Sequence, residues 1–391
     1  MNNFEFYNPT KIIFGKGAEN QVGAEVKKYS NNILFVHYGN GVIEKMGLYE
    51  RIINSLKKES IKVTELKGVK PNPVLSLVHE GIRVCREKKI DFVLAVGGGS
   101  VIDTAKSIAV GVPYEGDVWD FYVEKSVPQK ALPVGVVLTI PAAGSEVSEG
   151  SVIIKEDIKY KTHLNNVLQR AKFAILNPEL TMSLPAYQTA CGGADIMAHV
   201  IERYMTQVKN VELTDRLCEG TLKAVIDNLP LVLREPGNYD ARAEIMWAGS
   251  VAHNSLLDTG RVGDWASHMI EHELHAFKDI PHGAGLTIIL PAWMKYVYKA
   301  GLARFVQFAV RVWDVEQDFD HPEKTALAGI ERYIAFNKSI GLPSTLSEIG
   351  IQQKDFRSIA ERTRKYDKDT VGYFVKLTNE DIVKLLELCK G

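Results

Sequence analysis

The chain has few cysteines and lacks the segments that direct a protein to a membrane. Four cysteines occur in 391 residues, and none of them forms a CxxC motif: Cys85, Cys191, Cys218 and Cys389. This spacing argues against a disulfide framework and against a cysteine metal site. No apolar run approaches membrane-spanning length, and the N-terminus lacks the basic and apolar regions of a signal peptide. We therefore expect a cytoplasmic protein.

An excess of charge of one sign is also missing. The 47 Lys and Arg residues balance 48 Asp and Glu residues, the net charge is −1, and no long basic or acidic block occurs. Nucleic acids and anionic membranes bind clustered positive charge, so neither is an expected partner. The chain is long enough to bury a core and enclose a cleft. A small-molecule ligand is the remaining expectation.

The two halves of the chain differ in their hydrophobic pattern. In the first half, apolar runs alternate with helical segments, which predicts a Rossmann-like α/β domain with a parallel sheet. The predicted strands are FEFY, KIIFG, NILFV, IKVTEL, DFVLAV, LPVGVVLTI and AKFAIL. From Leu184 onward the apolar spacing is helical, and we predict breaks between long helices at Leu229-Pro230 and Leu290-Pro291. We place an α/β domain at residues 1–180 and an all-α domain at residues 181–391, with a ligand in the cleft between them.

Three loops of glycine or other small residues follow predicted strands. AVGGGSVIDTAK contains three successive glycines at the start of a helix, where backbone N–H groups and the helix dipole attract an anion and Ser100 can cap the helix. HYGNG contains Gly39 and Gly41, and TIPAAGSE covers Thr139 to Glu146. Each loop alone is equally compatible with a tight turn that binds nothing. Together, at the carboxyl ends of strands, they favour a bound dinucleotide.

The second half contains a group of candidate metal ligands. Asp195 and His199 are four residues apart in an apolar helical segment, so both side chains lie on one face, and a buried carboxylate needs a cation nearby. Four further histidines lie between residues 263 and 285: His268, His272, His275 and His282. Mixed nitrogen and oxygen donors suit Fe²⁺ or Zn²⁺ better than Mg²⁺ or Ca²⁺. Spacing alone leaves open which two of the four are ligands.

The motifs, taken in order, resemble those of a known family. The motifs are GGGSVIDTAK, PAAGSE, ILNPELT, GGADIMAHVIERY, DWASHMIEHEL and HGAGLTIILP, and the resemblance extends over nearly the whole chain. They resemble the iron-containing (group III) alcohol dehydrogenases, in particular the butanol dehydrogenase and broad-range aldehyde reductase branch. The resemblance implies a metal-dependent enzyme that interconverts primary alcohols and aldehydes by hydride transfer with NAD(H) or NADP(H). It also implies one divalent metal and a homodimer.

The resemblance assigns roles residue by residue. The metal ligands would be Asp195, His199, His268 and His282. The cofactor would be bound by Gly39 and Gly41 at the adenine ribose, by Gly97, Gly98, Gly99 and Ser100 at the pyrophosphate, and by Thr139 and Ser145 on the nicotinamide side. Lys161 would lie near the cofactor. His272 would lie beside the nicotinamide and substrate without binding the metal, and we interpret His275 as structural.

Some functional alternatives stay open. The branch suggests NADP(H), whereas Val42 and Glu44 follow the ribose loop where many relatives carry a serine and a lysine, and an acidic side chain favours a free 2′-hydroxyl. The residues Trp247, Leu256, Leu257 and Trp265 suggest a pocket for short- to medium-chain aldehydes. A lyase similar to dehydroquinate synthase and a metal-assisted hydrolase are the rival functions.

Overall fold

The computed structural model describes residues 1–274, 277–278, 280–363 and 370–391, and these fall into two compact units. One unit comprises residues 7–183, here called the α/β unit. The other, here called the helical unit, comprises residues 184–391 together with residues 1–6. None of the helices within the described ranges is both long enough and apolar enough to cross a membrane.

The α/β unit is built on a six-stranded sheet in the order β1-β8-β5-β4-β2-β3, and every neighbouring pair is parallel. Strands β6 and β7 form a separate antiparallel pair. The strands are β1 (Lys11–Phe14), β2 (Asn32–Val36), β3 (Lys62–Leu66), β4 (Phe92–Gly97), β5 (Val134–Leu138), β6 (Gly150–Lys155), β7 (Tyr160–Asn165) and β8 (Phe173–Leu176). Because both faces of a parallel sheet are covered, β4 and β5 are buried at every position.

Helices connect these strands and cover the sheet. They are α1 (Val22–Lys27), α2 (Val42–Lys45), α3 (Leu48–Lys58), α4 (Leu75–Glu87), α5 (Gly99–Gly111) and α6 (Trp119–Tyr122). α5 is buried along most of its length, because it packs against β4, α4 and β6. The carboxyl ends of β2, β4 and β5, which are neighbours in the sheet, carry the three loops predicted to bind a dinucleotide.

The helical unit contains the remaining long helices. They are α7 (Ala186–Tyr204), α8 (Glu212–Arg234), α9 (Tyr239–His253), α10 (Ala266–Leu274), α11 (His282–Val297), α12 (Leu302–Trp313), α13 (Pro322–Ser339), α14 (Phe356–Thr363) and α15 (Asn379–Glu387). Their apolar faces share one core, to which α7 and α11 contribute residues on all sides. These two helices therefore lie at the centre of the helical unit, and they carry most of the candidate metal ligands.

The predicted fold class is confirmed, and two local predictions are wrong. FEFY forms no strand, because Phe4, Phe6 and Tyr7 are exposed and the alternation has no buried face against which to pack. Pro230 and Pro291 lie inside α8 and α11 rather than ending them. Leu229 and Leu290, which precede the prolines, are fully buried, so tertiary packing outweighs the hydrogen bond that each proline removes.

Candidate metal and dinucleotide sites

Helix α7 presents two of the candidate metal ligands on one face. Asp195 and His199 are one turn apart, and the Nδ1 atom of His199 lies 3.2 Å from Oδ1 of Asp195 and 2.8 Å from its carbonyl oxygen. Both side chains are buried. The predicted helical spacing is therefore present, and His199 turns its Nδ1 atom toward its own helix.

Two further histidines reach Asp195 from α10 and α11. The Nε2 atoms of His268 and His282 lie 4.0 Å and 3.8 Å from Oδ1 of Asp195. One donor atom from each of Asp195, His268 and His282 lies within 4.8 Å of the other two. The ring of His199 lies beside this group, with its centroid 4.5 Å from that of His268. We call these four residues the donor group.

A glycine allows α11 to approach α7 closely enough for this arrangement. Gly283 follows His282, and a Cβ atom on Gly283 would lie 2.0 Å from the carbonyl oxygen of Cys191 on α7. No other residue fits at that distance. The HGAG sequence therefore brings the first residue of α11 next to Asp195.

The donor group has the chemistry that a divalent cation requires. Among the described residues, Oδ1 of Asp195 and Nε2 of His268 are buried and have no hydrogen-bond partner, although a buried polar atom normally has one. Burial opposes ionisation of Asp195, but His199, His282 and His268 outweigh it and hold its pKa at about 2. Burial lowers the pKa of His268, which favours the neutral imidazole that binds metals. A carboxylate and neutral imidazoles suit Fe²⁺ or Zn²⁺.

Two glutamates that the sequence analysis did not assign orient the histidines. Glu202, one turn after His199, accepts a hydrogen bond from Nδ1 of His268, and Glu271 accepts one from Nδ1 of His282. The backbone N–H of Ser267 donates to Glu202 at 3.0 Å. Each glutamate leaves the Nε2 atom of its histidine facing Asp195, as carboxylates commonly do behind metal-binding histidines. The sequence signal was present, because Glu202 lies three residues after His199 on the same helical face.

His272 lies beside the donor group. Its ring centroid is 5.5 Å from that of His282, and the residue is half-buried. Glu271, His272 and His282 form a second set with donor atoms within 4.8 Å, but Glu271 already accepts the Nδ1 proton of His282 and therefore supports that ring. His275, predicted to be structural, lies outside the described residues.

The predicted aliphatic pocket residues have different environments. Leu257 is fully buried in the core, whereas Trp247 is 45% exposed. Trp265 has a positive φ of 75°, which is unusual for a bulky residue, and its ring lies 5.3 Å from His268 and 4.5 Å from the guanidinium of Arg203. Trp265 therefore lies beside the donor group.

The loop after β2 passes close to the loop after β4. Gly39 and Gly41 adopt positive φ angles of 71° and 81°, and a Cβ on Gly39 would lie 2.8 Å from Cβ of Lys67. Tyr38, in the loop after β2, reaches the loop after β4. Its hydroxyl oxygen would be 3.2 Å from a Cβ on Gly98. Burial raises the pKa of this tyrosine to about 12. Gly39 is thus closely packed, whereas a Cβ on Gly41 would meet open space and only the positive φ of that residue favours glycine.

The second loop leads directly into α5. Gly97 ends β4, Gly98 has the N-cap position, and Gly99 is the first residue of the helix. A Cβ on Gly97 would lie 2.5 Å from the side chain of Val101, so this glycine is required for packing. Ser100 does not cap the helix as predicted, because it lies one residue inside α5, and its hydroxyl accepts the N–H of Asn72 at 3.2 Å.

The third loop is joined to the second. The N–H of Thr139 donates to the carbonyl of Gly97 at 3.0 Å. The hydroxyl of Ser145 donates to Asp103 on α5 at 2.6 Å, so it faces into the unit. Lys161 lies on β7, opposite Ile154 of β6. The fold therefore brings together the loops predicted to bind a dinucleotide, while the contacts of each residue with a cofactor stay a prediction.

Comparison with known proteins identifies the family. A model described as iron-containing alcohol dehydrogenase matches residues 9–178, and the C-terminal model of the Fe-containing alcohol dehydrogenase family matches residues 189–389. The probable NADH-dependent butanol dehydrogenase 1 of Bacillus subtilis (strain 168) is 43% identical to this chain over 99% of both sequences. The chain belongs to the iron-containing alcohol dehydrogenase family, which confirms the resemblance of its motifs.

Two other relatives illustrate the range of the family around this chain. The NADPH-dependent aldehyde reductase YqhD of Escherichia coli (strain K12) is 33% identical over 95% of both sequences. The crystal structure of the NADH-dependent butanol dehydrogenase A of Thermotoga maritima matches with a TM-score of 0.96 and 39% identity. It covers 100% of this chain and 99% of that one. Relatives named for NADH and for NADPH are thus both similar to this chain over nearly its full length.

Proposed function

We propose that the protein is a metal-dependent NAD(P)(H) alcohol dehydrogenase that also acts as an aldehyde reductase, interconverting primary alcohols and aldehydes. One observation carries this proposal. Two buried and unpartnered donor atoms, Oδ1 of Asp195 and Nε2 of His268, face each other at 4.0 Å beside His282, as a single divalent cation would require. The glycine loops of the α/β unit supply the second element, a surface suited to a dinucleotide.

The residues of the donor group would hold the metal, and each has a defined part. Asp195 contributes the negative charge, while His199, His268 and His282 contribute imidazole nitrogen donors. When bound there, a divalent metal supplies Lewis-acid polarisation of the substrate oxygen. Glu202 and Glu271 keep the histidine rings in one orientation, which preserves the geometry on which the reaction depends.

His272 is the proposed proton carrier. Reduction of an aldehyde adds a hydride to carbon and a proton to oxygen, and alcohol oxidation removes both, so a group that exchanges protons near neutrality is useful. His272 is half-buried beside His282, and it is not one of the four proposed ligands. It can therefore exchange protons without giving up a metal bond.

We further propose that NADH is preferred over NADPH. Glu44 lies on α2, which begins directly after Gly41 in the proposed ribose loop. Its carboxylate would repel a 2′-phosphate and can accept a hydrogen bond from a free 2′-hydroxyl. The name of the Bacillus subtilis relative, a probable NADH-dependent butanol dehydrogenase, agrees with this preference.

The proposed substrates are short- to medium-chain aldehydes and the matching alcohols. The names of the butanol dehydrogenase relatives support a four-carbon substrate. Trp265, beside His268, offers an apolar surface against which an aliphatic chain can pack.

The test is anaerobic oxidation of NADH and of NADPH with butanal, measured after chelation and again after addition of Fe²⁺ or Zn²⁺. We expect no turnover after chelation, restored turnover with one of the ions, and faster turnover with NADH. The donor group suits Fe²⁺ and Zn²⁺ alike, so the ligands do not identify the metal. Comparison of the turnover rates restored by the two ions does. An absence of turnover with either nucleotide and either ion would contradict the proposal and favour the lyase function.

We also propose that the protein is a homodimer. β1 is an edge strand of the parallel sheet, and Phe14 at its end is 40% exposed. An edge strand offers unpaired backbone groups to a second copy. Light scattering coupled to size-exclusion chromatography would give twice the mass of the chain, whereas a monomer mass at micromolar concentration would contradict the proposal.

A cytoplasmic location is proposed on the state of the cysteines. All four are buried and form no disulfide, which agrees with a reducing compartment. Fractionation of cells that express the protein would test this location, and recovery with the membrane or secreted fraction would contradict it.

A further inference from the structure

A fully buried histidine lies between strand β2 and the glycines of the proposed ribose loop. His37 follows the last residue of β2 and has no exposed surface. Among the described residues, neither Nδ1 nor Nε2 of its ring has a hydrogen-bond partner. The ring stacks on that of Phe35, with centroids 4.8 Å apart, and its centroid lies 6.1 Å from that of Tyr49. Because buried polar atoms normally have partners, the surroundings of this ring are informative.

Charged groups approach His37 from two neighbouring elements. On the side of β3, Oε2 of Glu65 lies 3.7 Å from Nε2 of His37. Glu65 already has two partners of its own, since Lys67 binds it at 2.7 Å and the hydroxyl of Tyr49 on α3 donates to it. On the side of α2, Glu44 acts on His37 by its charge. Strand β4, the other neighbour of β2, presents only apolar residues and a glycine.

Glu44 is the carboxylate of this group that lacks a partner. Its Oε2 atom is buried and accepts no hydrogen bond from the part of the chain that the structure describes. With a neutral His37, the charges of Glu44, Glu65 and Lys67 leave one negative charge in excess, and a charged imidazole would cancel it. Burial lowers the pKa of His37, while Glu44 and then Glu65 oppose that change. The ring is therefore neutral at pH 7 and above and takes up a proton in acid.

Packing of the sheet does not require a histidine at this position. The four preceding residues of β2, Ile33 to Val36, are apolar and fully buried. An apolar residue at position 37 would continue this pattern and would avoid burying two ring nitrogens without partners. What imidazole adds is a charge that depends on the pH within the range in which enzymes work.

This charge matters because Glu44 is the residue proposed to exclude a 2′-phosphate. A proton on His37 would offset the carboxylate, so a 2′-phosphate would meet less repulsion. The phosphate would in turn favour the charged imidazole, because binding and protonation that assist each other do so reciprocally. A dinucleotide with a free 2′-hydroxyl carries no such charge, so its affinity should depend much less on His37.

We propose that His37 is a positioning residue for nucleotide specificity that acts through Glu44. When His37 is neutral, Glu44 excludes the 2′-phosphate at full strength, and when His37 is protonated the exclusion is weaker. The preference for NAD(H) over NADP(H) therefore declines as the pH falls. The inference rests on the proposed binding of a dinucleotide and on the proposed role of Glu44, and it leaves the chemical step unchanged.

The test is calorimetric titration of the full-length, metal-containing enzyme with NAD⁺ and with NADP⁺, which are stable in acid, at about pH 8 and about pH 5.5. The ratio of the Kd for NADP⁺ to the Kd for NAD⁺ should fall on acidification. Since the 2′-phosphate titrates in the same range, the wild-type chain is compared with His37→Gln, in which only the contribution of the phosphate remains. We expect the ratio to fall by about threefold more in the wild type than in the variant.

Three more variants make the comparison specific. His79→Gln removes an exposed histidine of α4 and should show the wild-type response. His37→Phe keeps a ring against Phe35 but cannot take up a proton, so it should behave as His37→Gln does. If one of the two His37 variants does not fold, as judged by circular dichroism, the other decides the outcome.

Glu44→Gln changes a half-buried residue of α2 and tests the route of the effect. At about pH 8 it should lower the Kd for NADP⁺ by roughly threefold, because one repelling charge is removed. Its response to acid should be no larger than that of His37→Gln. A full wild-type response in Glu44→Gln would show that His37 does not act through Glu44 and would overturn the proposal.

Failure of the inference and failure of the proposed function are distinguishable. If the wild-type chain binds NAD⁺ more tightly than NADP⁺ at about pH 8, and a folded His37 variant responds to acid as the wild type does, only the role of His37 is overturned. If the wild-type chain binds neither dinucleotide, the proposed function is wrong. A preference for NADP⁺ at about pH 8 would contradict the proposed role of Glu44, and the inference would fall with it.

Discussion

The donor group of the helical unit and the glycine loops of the α/β unit are built from opposite kinds of groups. The donor group consists of titratable side chains, two of which have buried atoms without a hydrogen-bond partner. The loops present backbone at positions such as Gly39 and Gly97, where a Cβ would lie within 2.8 Å and 2.5 Å of a neighbouring atom. The proposed metal site thus depends on side-chain donor atoms. The proposed dinucleotide site depends on backbone at positions without a side chain.

This difference predicts that the two ligands can be lost independently. Exchanging one donor atom should abolish metal binding without affecting the dinucleotide, whereas changes near the loops should alter dinucleotide affinity without affecting the metal. Four substitutions test this separation, and they are taken from the largest expected effect to the smallest.

Asp195→Asn should have the largest effect. It replaces the only carboxylate of the donor group by a neutral amide, so bound metal should be lost and turnover should fall by on the order of 10³-fold, the equivalent of several kcal/mol of transition-state stabilisation. Metal content by plasma mass spectrometry and the Kd for NADH are measured together. The Kd should stay within about twofold, because the proposed NADH contacts come from other residues.

The control is Asp227→Asn, an exposed aspartate on α8 whose exchange should change neither quantity. If Asp195→Asn lost metal and NADH affinity together, the two sites would be coupled and the comparison would fail.

His272→Ala should lower kcat by on the order of 10²-fold, since it removes a proton carrier but none of the proposed ligands. Metal content should be unchanged, and the limb of the pH–rate profile that reports this histidine should disappear. The control is His321→Ala, an exposed histidine of the helical unit. An unchanged kcat together with an unchanged pH profile would remove His272 from the mechanism.

Glu202→Gln should weaken metal binding by roughly tenfold to a hundredfold, as is typical when the partner of a metal-binding histidine is exchanged. The amide has the shape of the carboxylate but not its charge, so His268 loses its charged acceptor. Competition with a chelator measures the effect, and Glu244→Gln, an exposed residue on α9, is the control. Equal metal affinity in the variant and the wild-type chain would show that orientation of His268 does not depend on this charge.

The fold could be predicted where the hydrophobic pattern was unambiguous. NILFV is strand β2 at the same residues, and the segment containing Asp195 and His199 is helix α7. The hairpin of β6 and β7 was not predicted, because its residues are only partly buried and their pattern is mixed. FEFY has a strand-like pattern, but no neighbour buries it. Local pattern thus predicts an element only where tertiary packing covers the face that the pattern defines.

The candidate site was predictable to a similar extent. Asp195, His268 and His282 could be recognised from residue type and the resemblance, and the structure brings them together. Glu202 and Glu271 had no assigned role, because a charged residue in a helix is usually solvated and its burial is visible only in three dimensions. The residues that orient the proposed ligands are therefore harder to predict from the sequence than the ligands themselves.

Glu44→Lys should have the smallest effect, a shift of about tenfold in the NADPH-to-NADH ratio of kcat/KM toward NADPH. The exchange replaces a repulsion of the 2′-phosphate by an attraction, which near a partly exposed site is worth roughly 1 to 2 kcal/mol. Glu50→Lys makes the same charge change on the exposed face of α3 and should leave the ratio unaltered. Metal content should be constant in both variants. If Glu50→Lys shifted the ratio as much as Glu44→Lys, the nucleotide preference would reflect the net charge of the α/β unit. The α/β unit, like the donor group, would then select its ligand by charge rather than by the conformation of its glycine loops.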